Sequence, residues 1–235
     1  MRKLLLLTAL MFASLAAGAQ DVFNHLGVGV AVGTNGIGVN LATPVTQWLT
    51  LRAGAEFMPN VKISTTETAT YNVAGTQGSA DIDLDCGIGR TQGNIILNFY
   101  PVPKIGLYVA AGAYFGGNKL VKITGHSDAL QGISDATIQV GDYNLPVDNN
   151  GNVHGGLKVK NVRPYVGIGW GRALPGRLLS FNVDLGVQIH GTPEVYTEAG
   201  DLTPILGEID NDFTKVIDKV KVYPVLSLRL CGKIF

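Results

Sequence analysis

The chain has 235 residues, 46% of them hydrophobic and only 15% charged, with 31 glycines and a formal net charge of zero. Soluble domains carry about 25% charged residues and about 7% glycine, so disorder is excluded and this composition does not serve an ordinary water-facing surface. Balanced charge without a basic patch also excludes a nucleic-acid binder, which needs a Lys/Arg excess on one face.

In chain order, residues 1–19 come first. Arg2 and Lys3 precede an apolar run from Leu4 to Ala16, and Ala17-Gly18-Ala19 offers a small-residue cleavage site. This is the pattern of a secretory signal. No cysteine follows the run to accept a lipid, so residues 20–235 form the mature chain, one barrel domain by the reading below. That chain has no stretch of 18 apolar residues, which excludes a spanning helix.

The mature chain alternates apolar residues with small or polar ones, the period-two signature of a sheet with two different faces. Leu26, Val28, Val30 and Val32 share one face, and Asn35-Gly36 supplies a two-residue turn into Ile37, Val39 and Leu41. That turn pairs Val32 with Val39 and Val30 with Leu41. Three strands follow, over 48–58, 92–100 and 105–116. Leu174 to Arg177 then reads as a tight turn between strands at 160–173 and 178–190, pairing Trp170 with Phe181, Ile168 with Val183 and Val166 with Leu185. Between the last two strands, Thr203 caps and Pro204 opens an amphipathic helix over 203–220, its apolar residues recurring at three- and four-residue steps. The eighth strand runs from about 222 to 235.

Connections after strands 2, 4 and 6 are short and carry Pro44, Pro101 with Pro103, and Pro175. Those after strands 3, 5 and 7 are long, at 59–91, 117–159 and 191–221. In an up-and-down barrel this parity gathers the long loops at one end, and the short turns and both termini at the other. The expected fold is therefore all-β: an eight-stranded antiparallel up-and-down transmembrane β-barrel with one amphipathic helix in its last long loop.

Alternation alone does not say which face is outside. The non-apolar face is nearly all Gly and Ala in the first hairpin, which suits the crowded interior of a narrow barrel better than a water-facing surface. Charges on that set are few and of both signs: Arg52, Glu56, Arg163, Asp184 and Arg229, with Lys233 at the end. Across a lumen they can pair, whereas Arg or Lys in lipid costs about 2–4 kcal/mol at mid-depth. Aromatic residues gather at strand ends: Phe99, Trp170 and Phe181 towards the short turns with Trp48 and Tyr100 beside them, Phe57 and Phe115 towards the long loops. Two such belts are expected where a barrel crosses both interfaces.

The segments GTNGIGVNLATPVTQWLTLRAG (33–54), RPYVGIGWGRALP (163–175) and YPVLSLRL (223–230) resemble small outer-membrane β-barrel proteins of Bacteroides-type bacteria, similar in architecture to OmpA and OmpX. The resemblance covers most strands, not the long loops. It implies a place in the outer membrane among lipid and lipopolysaccharide, insertion by the barrel-assembly machinery, and a terminal aromatic residue as the insertion signal. Phe235 matches, although it alternates with Lys233 and not with Ile234, so either a bulge lies near Gly232 or Phe235 sits just past the strand.

No chemistry-bearing constellation emerges. Of His25, His126, His154 and His190, the last could serve a Ser180, Asp184, His190 triad, but ten strand residues separate Ser180 from His190, about 33 Å. Asp81, Asp83 and Asp85, the run Asp148 to Asn152, and Asp210 with Asp212 lack the spacing of a calcium loop and read as solvated loop tips. Cys86 and Cys231 fall towards opposite ends of the barrel, which opposes a disulfide. The chain is expected to be non-enzymatic and without cofactor or metal, presenting its long loops to an extracellular ligand in envelope integrity or surface interaction. Two alternatives stand beside this: a narrow solute channel, and a soluble secreted barrel with a lipid or other apolar ligand inside.

Overall fold

The computed structural model describes residues 25–73, 76–102, 104–133, 137–140, 143–174, 178–197, 203–204 and 221–234. The signal segment, its cleavage site and Phe235 lie outside them. Eight strands close into an antiparallel barrel: β1 (Gly27–Gly33), β2 (Gly36–Pro44), β3 (Leu49–Met58), β6 (Arg90–Phe99), β7 (Leu107–Phe115), β12 (Val162–Trp170), β13 (Leu179–Ile189) and β16 (Val222–Lys233). Each pairs with its sequence neighbour within the barrel, and β1 closes on β16. These are the eight expected segments.

Their apolar set points outward. Val30, Ile37, Leu41, Val109, Ile168, Leu185 and Leu226 are exposed, whereas Arg52, Asn98, Arg163, Asn182, Asp184 and Arg229 are buried. The contrast decides the orientation: Val30 is 54% exposed and Asp184 is 2% exposed. Glycine serves the interior. The aromatic rings of Tyr108 and Tyr165 lie flat across the inner wall, where a Cβ at Gly169 would overlap Tyr108, and one at Gly167 or Gly186 would overlap Tyr165.

Both expected hairpin registers are corrected by two residues. Val30 faces Val39 and Val32 faces Ile37, because Gly33 pairs with Gly36 and the turn is Thr34-Asn35. Gly36 is still required: its φ is +95°, and a Cβ there would meet the Phe57 carbonyl. In the other hairpin Trp170 faces Val183, Ile168 faces Leu185 and Val166 faces Val187. There the strands end at Trp170 and resume at Leu179, so the connection is longer than the four-residue turn read from the sequence. A two-residue shift preserves the faces, which is why hydrophobic alternation does not detect it.

The long connections are a further correction, because they fold. They contribute β4 (Lys62–Val73), β5 (Thr76–Gly87), β8 (Lys119–His126), β9 (Thr137–Val140), β10 (Tyr143–Pro146), β11 (Asn152–Lys158), β14 (Glu194–Thr197) and β15 (Thr203–Pro204), with a short 3-10 turn at Asp128–Leu130. These eight strands form a second sheet in the order β14-β11-β8-β5-β4-β9-β10-β15. Its inner face buries Ala69, Ile82, Leu84, Ile123, Leu130, Leu145, Val147 and Val153. Leu145 of β10 reaches Gly155 of β11, so the sheet curls over its own core. Thr203 and Pro204, expected to cap and open a helix, instead form β15 and pair with Asn144 and Tyr143. Residues 205–220 of that expected helix lie outside the described residues, among which there is no α-helix.

Candidate functional site

The concentrated polar chemistry lies inside the barrel and is organised in layers along its axis. In the layer nearest the short turns, the Asp184 carboxylate accepts from Arg229 Nε at 2.6 Å, from the Tyr108 hydroxyl at 2.6 Å and from Arg52 Nη1 at 3.2 Å. Arg229 Nη2 also donates to the Tyr108 oxygen at 2.8 Å. Strands β3, β7, β13 and β16 are thus tied through one carboxylate. Charge-assisted bonds of this kind are short and strong, and their low-dielectric setting makes loss of one member costly.

Tyr114 and Tyr165 form the middle of the lumen, packed edge to face with ring centroids 5.4 Å apart. Beside them Glu56 accepts from Gln92 Nε2 at 3.1 Å and Asn94 Nδ2 at 3.2 Å. Glu56 is therefore held by amides and makes no ion pair with Arg52 or Arg229 among the described residues. The outermost layer is built on Arg163, fully buried, which donates to Gln188 Oε1 at 3.1 Å, Gln92 Oε1 at 2.9 Å and the Gly116 carbonyl at 2.7 Å. Gln188 and Arg90 then both donate to Asn35 Oδ1 at 3.1 Å, and the Arg90 guanidinium stacks 4.5 Å over the Tyr223 ring.

Both ends of the lumen are stoppered. At the outer end the Thr34-Asn35 turn folds inward: Asn35 is buried, Thr34 Oγ1 donates to the Pro224 carbonyl at 3.0 Å, and the Tyr223 hydroxyl donates to the Thr34 carbonyl at 2.6 Å. At the other end Ala173 is buried, its amide donating to the Tyr100 hydroxyl at 3.2 Å, while Asn182 Nδ2 donates to the Arg172 carbonyl at 3.1 Å. The lumenal cavity between them, lined by Arg52, Glu56, Tyr114, Tyr165, Asp184 and Arg229 among others, has a volume of ≈ 10 Å³. That is about the space one water molecule needs.

Of the five charges singled out from the sequence, Arg52, Asp184 and Arg229 form one cluster, and Glu56 and Arg163 belong to the other two layers. Lys233 is exposed at the barrel end. Phe57, Phe99, Phe115, Trp170 and Phe181 are all on the outer surface, with Trp48. Tyr100, grouped with them by position, turns inward and packs its ring 5.1 Å from that of Tyr108. Sequence reasoning missed Arg90, Gln92, Asn94, Tyr108 and Gln188. Arg90 lies in the stretch read as a connection, because the strand begins at Arg90 and not at 92. The other four occupy the same alternate set as the charges, but formal charge alone passes over amides and phenols.

The remaining candidates resolve into structure. Asp81, Asp83 and Asp85 are not loop tips: they line the outer face of β5, where they accept from Thr68, Thr66 and Ser64 of β4. Asp148 Oδ1 accepts from the amides of Asn150 at 2.9 Å and Asn152 at 2.7 Å, which closes a local turn and holds its carboxyl below the usual range. His126 carries Asn152 Oδ1 2.8 Å from Nδ1 and Asp128 Oδ1 3.1 Å from Nε2, and these two bonds raise its pKa. His190 is buried with Nδ1 2.8 Å from the Gly191 carbonyl. Cys86 and Cys231 are both free thiols, in the extension and the lumen respectively.

Compared with known proteins, the chain matches no family model and no curated protein. Two solved structures from Acinetobacter baumannii are similar in overall course. CarO2 is 19% identical with a TM-score of 0.49, covering 89% of this chain and 98% of its own. CarO is 20% identical with a TM-score of 0.47, covering 88% and 96%.

Proposed function

We propose that this chain is a non-enzymatic integral outer-membrane β-barrel protein whose work is to root a folded β-sheet extension at the cell surface, in envelope integrity or surface interaction. One observation carries the reading: the barrel wears its aliphatic and aromatic side chains outside and seals its arginines and carboxylates inside. A closed barrel satisfies every strand hydrogen bond internally, which is what lipid demands of a spanning structure. The signal pattern of residues 1–19, with cleavage near Ala19, supports export, and Phe235 fits the role of terminal insertion signal for the barrel-assembly machinery. The extension then belongs outside, because both termini and the short turns are at the opposite end.

The closed lumen supports presentation over conduction. Among the described residues the two stoppers flank a cavity of ≈ 10 Å³, too small for a solute, and the buried Arg52, Arg163 and Arg229 make that lumen polar and unsuited to a lipid. Fractionation of expressing cells is the test: extraction by detergent alone and heat-modifiable migration on gels are expected, and recovery in the soluble fraction would overturn the reading. Folded protein in planar bilayers is expected to give a flat current trace, and reproducible conductance steps would replace presentation with transport.

A further inference from the structure

We propose that the free edge of β4 takes up an extended segment of another polypeptide as an added strand, an inference that rests on the surface placement of the extension given above. β4 is paired with β5 along its whole length, from Lys62 opposite Gly87 to Val73 opposite Thr76. Its other edge meets a described strand only at Thr70, opposite Thr137 of β9. From Val61 to Thr68 every residue is exposed, on both faces of the strand. The cause is the one short turn at the outer end of the barrel. β4 follows β3 out of the barrel, whereas β2, the neighbour of β3, begins at Gly36 directly after the Thr34-Asn35 turn, so no strand continues beside β4.

An edge of this kind offers a row of backbone N–H and C=O groups to any chain that can align with it. Proteins blunt such edges with proline, a bulge, a very short strand or a lysine. β4 is 12 residues long, holds no proline and keeps an unbroken register against β5. Its one lysine, Lys62, is turned back onto β5, with Nζ 3.3 Å from Asp85 Oδ2. Ser64, Thr66 and Thr68 likewise donate to Asp85, Asp83 and Asp81. The polar face of β4 is thus engaged with β5, and the backbone edge is left clear.

The other face sets the chemistry of the guest. Ile63 is 70% exposed, with Val61 exposed on the same side. Glu67, four residues beyond Ile63 on that face, is exposed and makes no ion pair among the described residues. An antiparallel guest strand therefore places a cation opposite Glu67 and aliphatic side chains opposite Ile63 and Val61, cross-strand pairs that favour this alignment. From its N-terminus, the guest carries the lysine or arginine first and the aliphatic residues four and six positions later. The free edge, Lys62 to Thr68, is seven residues, against the roughly 20–30 per side of a stable pair of folded proteins. It suits a linear segment held by main-chain hydrogen bonds, and not a second copy of this chain.

The test uses the full chain refolded in nonionic detergent micelles, with heat-modifiable migration showing that each variant is folded. The probe is the capped peptide Thr-Lys-Thr-Val-Thr-Val-Thr-Val, together with two forms of it, each N-methylated on one alternate set of amides. Hydrogen exchange read by mass spectrometry should slow in residues 62–68 when the probe is added and stay unchanged in the barrel. One methylated form should protect as the probe does and the other should not, because only one set of peptide amides faces β4. Glu67→Lys should bind the probe about fivefold more weakly and regain that factor when glutamate replaces the peptide lysine. Equal binding of the two methylated forms, no slowing in 62–68, or indifference to the charge exchange would overturn the proposal. So would slow exchange of both alternate sets of β4 amides before any peptide is added; light scattering then tells a second copy from a segment of the same chain as the occupant. Recovery of the chain in the soluble fraction of cells would overturn the membrane reading by itself, while the peptide titration still reads the edge.

Discussion

Barrel and extension are made from strands with the same period-two alternation, yet one is the other turned inside out. In the barrel the aliphatic set faces outward and the interior is a layered network around Asp184 and Arg163. In the extension the aliphatic set, Ile82, Leu84, Ile123 and Val153 among it, faces inward, and Asp81, Asp83 and Asp85 face out. A chain can carry both because alternation specifies two faces and leaves the medium to decide which is hidden. The small residues of the barrel interior mark the difference: where rings must lie flat inside a narrow tube, glycine makes the room, and the curled open sheet is under no such restriction.

The largest expected effect comes from the polar core. Asp184→Asn would leave Arg52 and Arg229 buried without a carboxylate and should destabilise the barrel by about 3–5 kcal/mol, read from denaturant unfolding of the protein in vesicles. Asp83→Asn, on the exposed face of the extension, should change stability by less than about 1 kcal/mol. Equal effects would erase the distinction between the two regions. Next comes the apolar core of the extension. Leu145→Ala should cost about 2–5 kcal/mol, expressed as protease sensitivity of the extension while the barrel keeps its heat-modifiable migration; simultaneous loss of both would mean the two cores fold as one unit.

The outer surface sharpens the contrast from the other side. Val166→Arg, in the middle of β12, should cost about 2–4 kcal/mol in a bilayer, whereas Thr66→Arg on β4 should be silent in the same unfolding measurement. The smallest effect is one of pH. The two bonds to His126 raise its pKa above the unperturbed value, so the stabilisation it contributes is complete below pH ~6.5 and is lost as the pH rises through the higher folded value. Asp148 acts in the opposite sense: its lowered pKa contributes stability that is present above its unfolded value and lost as the pH falls. Amide exchange at Ser127 and Asn152, corrected for intrinsic rates, should thus quicken on raising the pH through neutrality in the wild type. In His126→Gln that quickening should be absent.

Much of the barrel is legible in the sequence because its two faces differ so sharply: Val, Ile and Leu alternate with Gly, Asn and Arg through all eight strands. Register is not legible, because a two-residue slip leaves every side chain on its own face, and the inward fold of Thr34-Asn35 depends on Pro224, Tyr223 and Arg90, far away in the chain. Asp81, Asp83 and Asp85 show a different failure. They alternate with Ile82, Leu84 and Cys86, a strand pattern in plain view, but their charge and their place in a long connection suggested solvated loop tips. Similarly, the spacing of Thr203 and Pro204 fits a helix start, while tertiary pairing with β10 makes them strand. The lumenal site is half legible for a chemical reason: charges inside the expected strands announce themselves, whereas Arg90 lies just before its expected strand and Tyr108, Gln92 and Gln188 acquire their roles only from the arginines they meet.

The most direct test of the account uses the two native tryptophans, Trp48 and Trp170, both on the outer surface towards the short turns. In the Trp48→Phe variant reconstituted into vesicles with lipids brominated at graded depths, Trp170 fluorescence should be quenched most strongly by the shallow bromines and shielded from aqueous acrylamide. Quenching by acrylamide with no response to any brominated lipid would contradict the account.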